Sequence, residues 1–236
     1  MYSIVVISVF LFNVFASAKD VLTPVPYHAS VRTDKGHICS GTILGEKWIA
    51  TVAHILIVQD TDAKLNVVVG TNQLNGPGDS YAVSKIFFYP KYNSSYILKY
   101  NMALLKLDKG IKFGSQVKAI SPLNSDTKEG ANLVVTGWKT PKDYFRTNNL
   151  QEKYVTSISN KKCRNYFGFI DGFHLCSEDK SDFVGDADYF RDAGGPLVEN
   201  DKLVGILNQF FGRLPALYSR VFKYRSWIKK TMSKNK

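Results

Sequence analysis

At 236 residues, with 44% hydrophobic and 13% aromatic side chains, the chain carries enough apolar material for a large packed core. That composition excludes an intrinsically disordered protein. A formal net charge of +11 favours anionic partners (acidic proteins, sulfated glycans, phospholipid surfaces) or serves solubility alone. No nucleic-acid motif accompanies the charge, so nucleic acid is not an expected partner.

The chain opens on an apolar run from Ile4 to Phe15, followed by Ala16-Ser17-Ala18. A short apolar stretch ending in small-x-small is the pattern of a secretory signal peptide, here cut after Ala18. The run is too short for the ~20 residues that cross a bilayer core, so no membrane insertion is expected. The mature protein is then a secreted, extracellular single domain, residues 19–236. Its three cysteines, Cys39, Cys163 and Cys176, leave one over in an oxidising compartment.

Short apolar runs between turn residues predict strands at 27–32, 37–44, 47–52, 65–69, 82–88 and 102–107. A second series follows at 117–121, 133–138, 151–157, 197–199, 203–209 and 216–221. Between the first set's last two members, Asn93-Ser94-Ser95 forms an N-glycosylation sequon in a turn-rich segment after Pro90. The stretch 108–126, with Gly110, Gly114 and Pro122, is the expected crossover between halves at about 19–115 and 116–236. Asn200-Asp201 predicts a tight hairpin. Residues 223–232 place Tyr224, Trp227, Ile228 and Thr231 on one helical stripe, a helix packed on the body. By pattern alone the chain is all-β with many strands.

Three segments carry the chemistry. Thr51-Val52-Ala53-His54, Asn101-Met102-Ala103-Leu104-Leu105 and Arg191-Asp192-Ala193-Gly194-Gly195-Pro196 follow one another in the chain. They resemble the histidine, aspartate and serine blocks of the chymotrypsin/trypsin family, peptidase family S1. Gly137-Trp138, the run Val67-Val68-Val69-Gly70-Thr71-Asn72 and the ending Tyr224-Arg225-Ser226-Trp227-Ile228 extend the likeness, which looks closest to insect chymotrypsin-like members. The resemblance implies two six-stranded antiparallel β-barrels, a C-terminal helix and a cleft between the barrels.

The departures from that family bear on function. Asn101 stands where the family has the triad aspartate, Ala193 where it has the nucleophilic serine, and Arg191 where it has an oxyanion-loop glycine. Acyl transfer needs a nucleophile, a base, a group that orients the base and donors for the oxyanion. A methyl group cannot attack a carbonyl, and Asp192, Gly194 and Gly195 offer no hydroxyl or thiol in its place. An amide at 101 favours the wrong histidine tautomer, and a side chain at 191 can change the oxyanion backbone. His54 then lines a cleft, hydrogen-bonded to Asn101. The expectation is a pseudoenzyme with no cofactor; His28, His37 and His174 show no metal-binding spacing.

The resemblance also implies a Cys163–Cys176 disulfide and leaves Cys39 unpaired, since its family partner position is Ile55. Cys39 is read as a buried, inert thiol, with an intermolecular disulfide as the alternative. No Ile-Val-Gly-Gly terminus precedes Pro26, so zymogen activation is not expected. Asp192 then takes Arg191 or local backbone N–H groups as partners, or sits on a solvated loop. The specificity pocket maps to Ala187 at the base, Asn208-Gln209-Phe210 on one wall and Ala216 behind. Tyr189 replaces a pocket cysteine, and Phe210 is expected to fill the mouth.

Three functions compete. The first is a secreted non-catalytic homologue acting on an unknown protein partner, such as a protease-cascade component, as decoy, adaptor or modulator. The second is a working serine endopeptidase. The third is a basic protein that binds anionic glycans or surfaces.

Overall fold

The computed structural model describes residues 19–59, 64–139, 146–178, 192–211 and 214–236. Strands β2 (His28–Thr33), β3 (Gly36–Gly45), β4 (Trp48–Thr51), β5 (Asn66–Val69), β6 (Asp79–Phe88) and β7 (Ala103–Leu107) close into one antiparallel barrel, in the order β2-β3-β4-β7-β6-β5. Period-2 patterning drives this closure: Val31, Ile43, Ile49, Val67 and Leu105 point inward and are fully buried. A short helix, α1 (Ala53–Ile57), follows β4.

The second barrel comprises β8 (Asn132–Lys139), β9 (Arg146–Ile158), β10 (His174–Glu178), β11 (Pro196–Glu199), β12 (Lys202–Phe211) and β13 (Leu214–Arg220). Its order is β9-β10-β13-β12-β11-β8, closed by the β8–β9 pairing. The chain is thus a pair of six-stranded antiparallel barrels, as the resemblance implied. The arm β1 (Lys19–Asp20) pairs with Glu152 and Gln151 of β9, so the start of the described chain joins the second barrel's sheet.

Residues 117–121 form no ladder. They are a strap: Lys118 N donates to Pro26 O at 2.8 Å and Ile120 N to Ile43 O at 2.9 Å, whereas Ser121 O accepts from Leu203 N at 3.0 Å. One end therefore belongs to each barrel. Strand β10 escaped the sequence reading because its residues, His174 to Glu178, include no β-branched residue and no Phe, Tyr or Trp to mark a strand. The hairpin was legible. Asn200 and Asp201 have φ of 47° and 58°, the left-handed pair of a two-residue turn matching strand twist.

Helix α2 (Asn160–Arg164), N-capped by Ser159, carries Cys163 against Cys176 of β10 in the expected disulfide. The bridge closes a span of 13 residues. Replacing both cysteines by alanine is expected to lower unfolding free energy by about 3 kcal/mol, read as a shifted urea midpoint. Helix α3 (Val221–Lys234) leaves the second barrel and packs back on the first. Tyr224 and Ile228 are buried, and the Tyr89 ring lies 4.9 Å from Tyr224 and 5.3 Å from Trp227. This aromatic clasp, completed by Phe173 at 5.3 Å from Tyr224, helps fix the two barrels.

Candidate active site and its relatives

Asn101 sits two residues before β7 and is fully buried. Its Oδ1 accepts from the backbone N–H of Ala53 at 2.8 Å and of His54 at 3.0 Å, at the start of α1. Those two donors claim the carbonyl oxygen, so the amide nitrogen faces His54 Nδ1, 2.7 Å away. An amide N–H there makes Nδ1 an acceptor. The neutral ring must then carry its proton on Nε2, where a general base needs a lone pair. Burial holds the His54 imidazole below its ordinary pKa. A carbonyl facing Nδ1 would favour a protonated ring; the N–H that faces it does the reverse.

The second barrel braces this pair. Ser219 Oγ lies 2.7 Å from the backbone carbonyl oxygen of Asn101 and 2.9 Å from Asn208 Oδ1, sharing its one proton between them. Asn208 Nδ2 donates to Leu98 O at 3.4 Å. Tyr100, next to Asn101, has φ of 55°, a left-handed conformation costly for a bulky side chain. Its ring is gripped edge-on by Phe173 at 4.8 Å, with the Lys99 and Lys91 ammonium groups at 5.3 and 5.8 Å.

The Ala193 loop is equally well held. Ala193 is fully buried and its carbonyl accepts from Ser40 N at 2.9 Å. Gly194 N donates to Leu207 O at 2.7 Å, and Thr51 Oγ1 donates to Ser40 O at 2.8 Å. Thus β3, the end of β4 and β12 fix the loop beside the segment that leads into His54. The hydroxyls around it are committed elsewhere: Ser40 Oγ to His28 Nε2 at 3.0 Å, Thr51 to Ser40 O, and Thr42 to Gly194 O at 3.4 Å.

Asp192 is buried, which overturns the solvated-loop alternative. Its Oδ1 accepts from Trp138 N at 2.9 Å, a backbone donor that comes from β8 and not from the loop itself. The carboxylate lies so close over Gly137 that a Cβ there would come within 2.9 Å of it. Arg191, and Ala187 with Asp188 and Tyr189, fall outside the described residues. Of the pocket set, Asn208 and Ala216 are buried, and half-buried Phe210 packs against the apolar cluster that includes Ala216.

Sequence reasoning passed over the histidines behind the loop. His28 bonds Thr136 Oγ1 at 2.7 Å and Ser40 Oγ at 3.0 Å, and His37 Nδ1 lies 2.8 Å from Ser30 Oγ. The Trp138 ring stands edge-on to both imidazoles, at 4.8 and 5.4 Å. Burial, aided by the His37 charge, lowers the His28 pKa from 6.5 to about 3. Between those values the unfolded chain binds a proton that the native state refuses. Stability should therefore fall as pH drops through this window, by about 1.4 kcal/mol per pH unit from this group. Urea titrations from pH 7 to 3 test this, and His28→Gln should make the acid limb shallower by roughly one proton's worth.

Cys39 is fully buried beside Thr51 Oγ1 at 3.5 Å, and burial pushes its thiol up to about 12. An inert thiol is the reading this supports. Asn93 is exposed, and its side chain accepts from Ser95 N at 2.9 Å as it caps a single 3-10 turn.

Comparison with known proteins agrees with the two-barrel frame. The family model described as Trypsin matches residues 17–228. The chain belongs to the trypsin family. Trypsin 5G1 of Aedes aegypti is 30% identical over 217 residues, spanning 87% of this chain and 79% of that protein. Trypsin theta of Drosophila melanogaster is 31% identical over 216 residues, spanning 86% and 80%. These insect relatives carry trypsin rather than chymotrypsin names. Among solved structures, neuropsin, a serine protease expressed in the limbic system of mouse brain, superposes with a TM-score of 0.80 at 26% identity. That match covers 91% of this chain and 98% of neuropsin. Within this frame the structure brings the Asn101 amide to 2.7 Å from His54 Nδ1 and holds buried Ala193 against Ser40 of β3.

Proposed function

We propose that this trypsin-family chain is a secreted, non-catalytic homologue that acts by binding other proteins. Ala193 carries the reading: the serine-block loop is built, buried and hydrogen-bonded, yet the residue at the nucleophile position is a methyl group. The Asn101 amide supports it independently by holding His54 in the tautomer that cannot take a proton at Nε2. A scaffold kept in this detail without its reactive oxygen suits a decoy or adaptor that occupies the substrates, cofactors or inhibitors of active family members. Secretion follows from the small-x-small ending of the apolar leader, and Asn93, exposed at a turn, is the proposed glycan acceptor. Among the described residues no helix is long and apolar enough to cross a membrane.

The trypsin names of the relatives favour a second reading, a working serine endopeptidase. A fluorophosphonate probe separates the two, because it reacts only with an activated serine. The homogeneous recombinant chain is expected to remain unlabelled and to leave peptide substrates intact. Labelling that disappears on His54→Ala would overturn the non-catalytic reading.

A further inference from the structure

Charge in this chain is not spread evenly. Nine of the 31 Lys and Arg residues, and none of the 20 Asp and Glu, lie at or beyond Lys202. That closing segment holds +9 of the formal +11, and the rest of the chain is nearly neutral. Most of the excess sits on α3 and just after it. The helix turns Val221, Tyr224 and Ile228 into the body, and its exposed face is Lys223, Ser226, Lys229, Lys230, Ser233 and Lys234. That face has no carboxylate, and half-buried Phe222 beside it is covered by Arg225 at 4.7 Å and Lys223 at 5.9 Å. Among the described residues none of its lysines enters an ion pair.

The basic surface continues past the helix. Lys106 of β7 donates to the Lys236 carbonyl at 3.2 Å, and Lys106 stands opposite Lys85 in the β6–β7 register. Like charges directly opposite on neighbouring strands repel, an arrangement a bound anion relieves. Lysines in the last turn do stabilise a helix through its dipole, but that effect fades within one turn. It leaves Lys229 and Lys230 unexplained.

We propose that the outer face of α3, with Lys106 and Lys85 at its end, is a docking surface for a linear sulfated glycan. The chemistry selects this occupant. A membrane-surface helix needs an outward apolar face, and here that face is turned inward. A protein partner is ordinarily gripped by freely presented aromatic or arginine anchors, whereas here half-buried Phe222 and Arg225 stack on each other at 4.7 Å and Arg225 also holds Asn124 O. Nucleic acid is gripped by aromatic stacking or read by arginine and amide forks, and the exposed face has none of these. What the face does offer is a row of compact point charges, spaced along a helix about 21 Å long, with small serine hydroxyls between them. Sulfate groups pair with such charges while sugar hydroxyls meet the serines. The proposal stands whether or not the cleft is catalytic.

Heparin binding to the full chain, titrated against salt, tests it. The variant Lys229→Ser/Lys230→Ser/Lys234→Ser is compared with a control of equal charge change, Lys35→Ser/Lys64→Ser/Lys128→Ser, and both are checked for an unchanged melting temperature. The helix variant should lose about tenfold or more in affinity near physiological salt, and its log–log salt slope should fall by about two to three. The control should lose less than about threefold. Equal losses in both variants would mean diffuse attraction and overturn the proposal. So would no heparin binding by the parent chain, or equally tight binding to duplex DNA or to phosphatidylserine vesicles.

Discussion

The double variant Ala193→Ser/Asn101→Asp is expected to react with a fluorophosphonate probe, whereas Ala193→Ser alone should react about 10³- to 10⁴-fold more slowly. Ala193→Ser supplies the oxygen in a loop already fixed by Ser40 N and Leu207 O. The new serine would still face a histidine whose Nδ1 accepts from the Asn101 amide. In this family a triad amide in place of the carboxylate costs about 10⁴ in turnover, by imposing that tautomer. Asn101→Asp fits without rearrangement. One carboxylate oxygen keeps the N–H groups of Ala53 and His54, and the other accepts from Nδ1. The same change should raise the His54 pKa, since a buried carboxylate at 2.7 Å favours imidazolium where an N–H donor opposed it. Nuclear magnetic resonance titration of His54 in Asn101→Asp measures this without any need for activity. A pKa that stayed put would mean the amide is not oriented as the two backbone donors require. The probe is preferred to a peptide substrate because it does not depend on an open specificity pocket.

How much of this was legible beforehand differs by element. Part of β6 alternates plainly, with Tyr81 and Val83 half-buried between exposed Ser80, Ala82 and Ser84, and the Asn200-Asp201 turn announced its hairpin by composition. β10 did not, since His-Leu-Cys-Ser-Glu lacks the β-branched and large aromatic residues that mark a strand. Helix α1 has only five residues, Ala53 to Ile57, with no side-chain cap and an apolar composition that reads as strand. The pairing of Lys19–Asp20 with β9 joins residues more than a hundred positions apart, and no local pattern encodes it. At the site, the identities at 101 and 193 were plain from the residues. The direction of the Asn101 amide was not: backbone N–H groups of a helix invisible to pattern reading decide it. The same holds for Asp192, whose burial depends on Trp138 N and the space left by Gly137. The surplus of lysine near the chain's end could be counted from letters, but only packing shows that α3 turns it all to one side.

Gly194→Ala is expected to be the most damaging glycine-to-alanine change among the described residues, costing about 4 kcal/mol or more, or preventing soluble expression altogether. Two effects coincide. Gly194 has φ of 93°, where an L side chain is strained, and its added Cβ would lie 2.1 Å from the Ser40 carbonyl oxygen and 2.3 Å from Thr51 Oγ1. Neither neighbour can step aside. Ser40 is paired with Ser30 in the β2–β3 ladder and its N–H holds Ala193, while the Thr51 hydroxyl is bonded to that same Ser40 carbonyl. Gly36→Ala isolates the strain, because φ there is 101° and nothing lies within 4 Å of the added methyl; about 1 kcal/mol is expected. Chemical denaturation of the two variants separates backbone conformation from collision. A Gly194→Ala protein as stable as Gly36→Ala would show that the loop relaxes away from β3. The contrast also explains why a glycine typical of active proteases persists beside Ala193: close approach of the loop to β3 requires it, with or without a nucleophile next door.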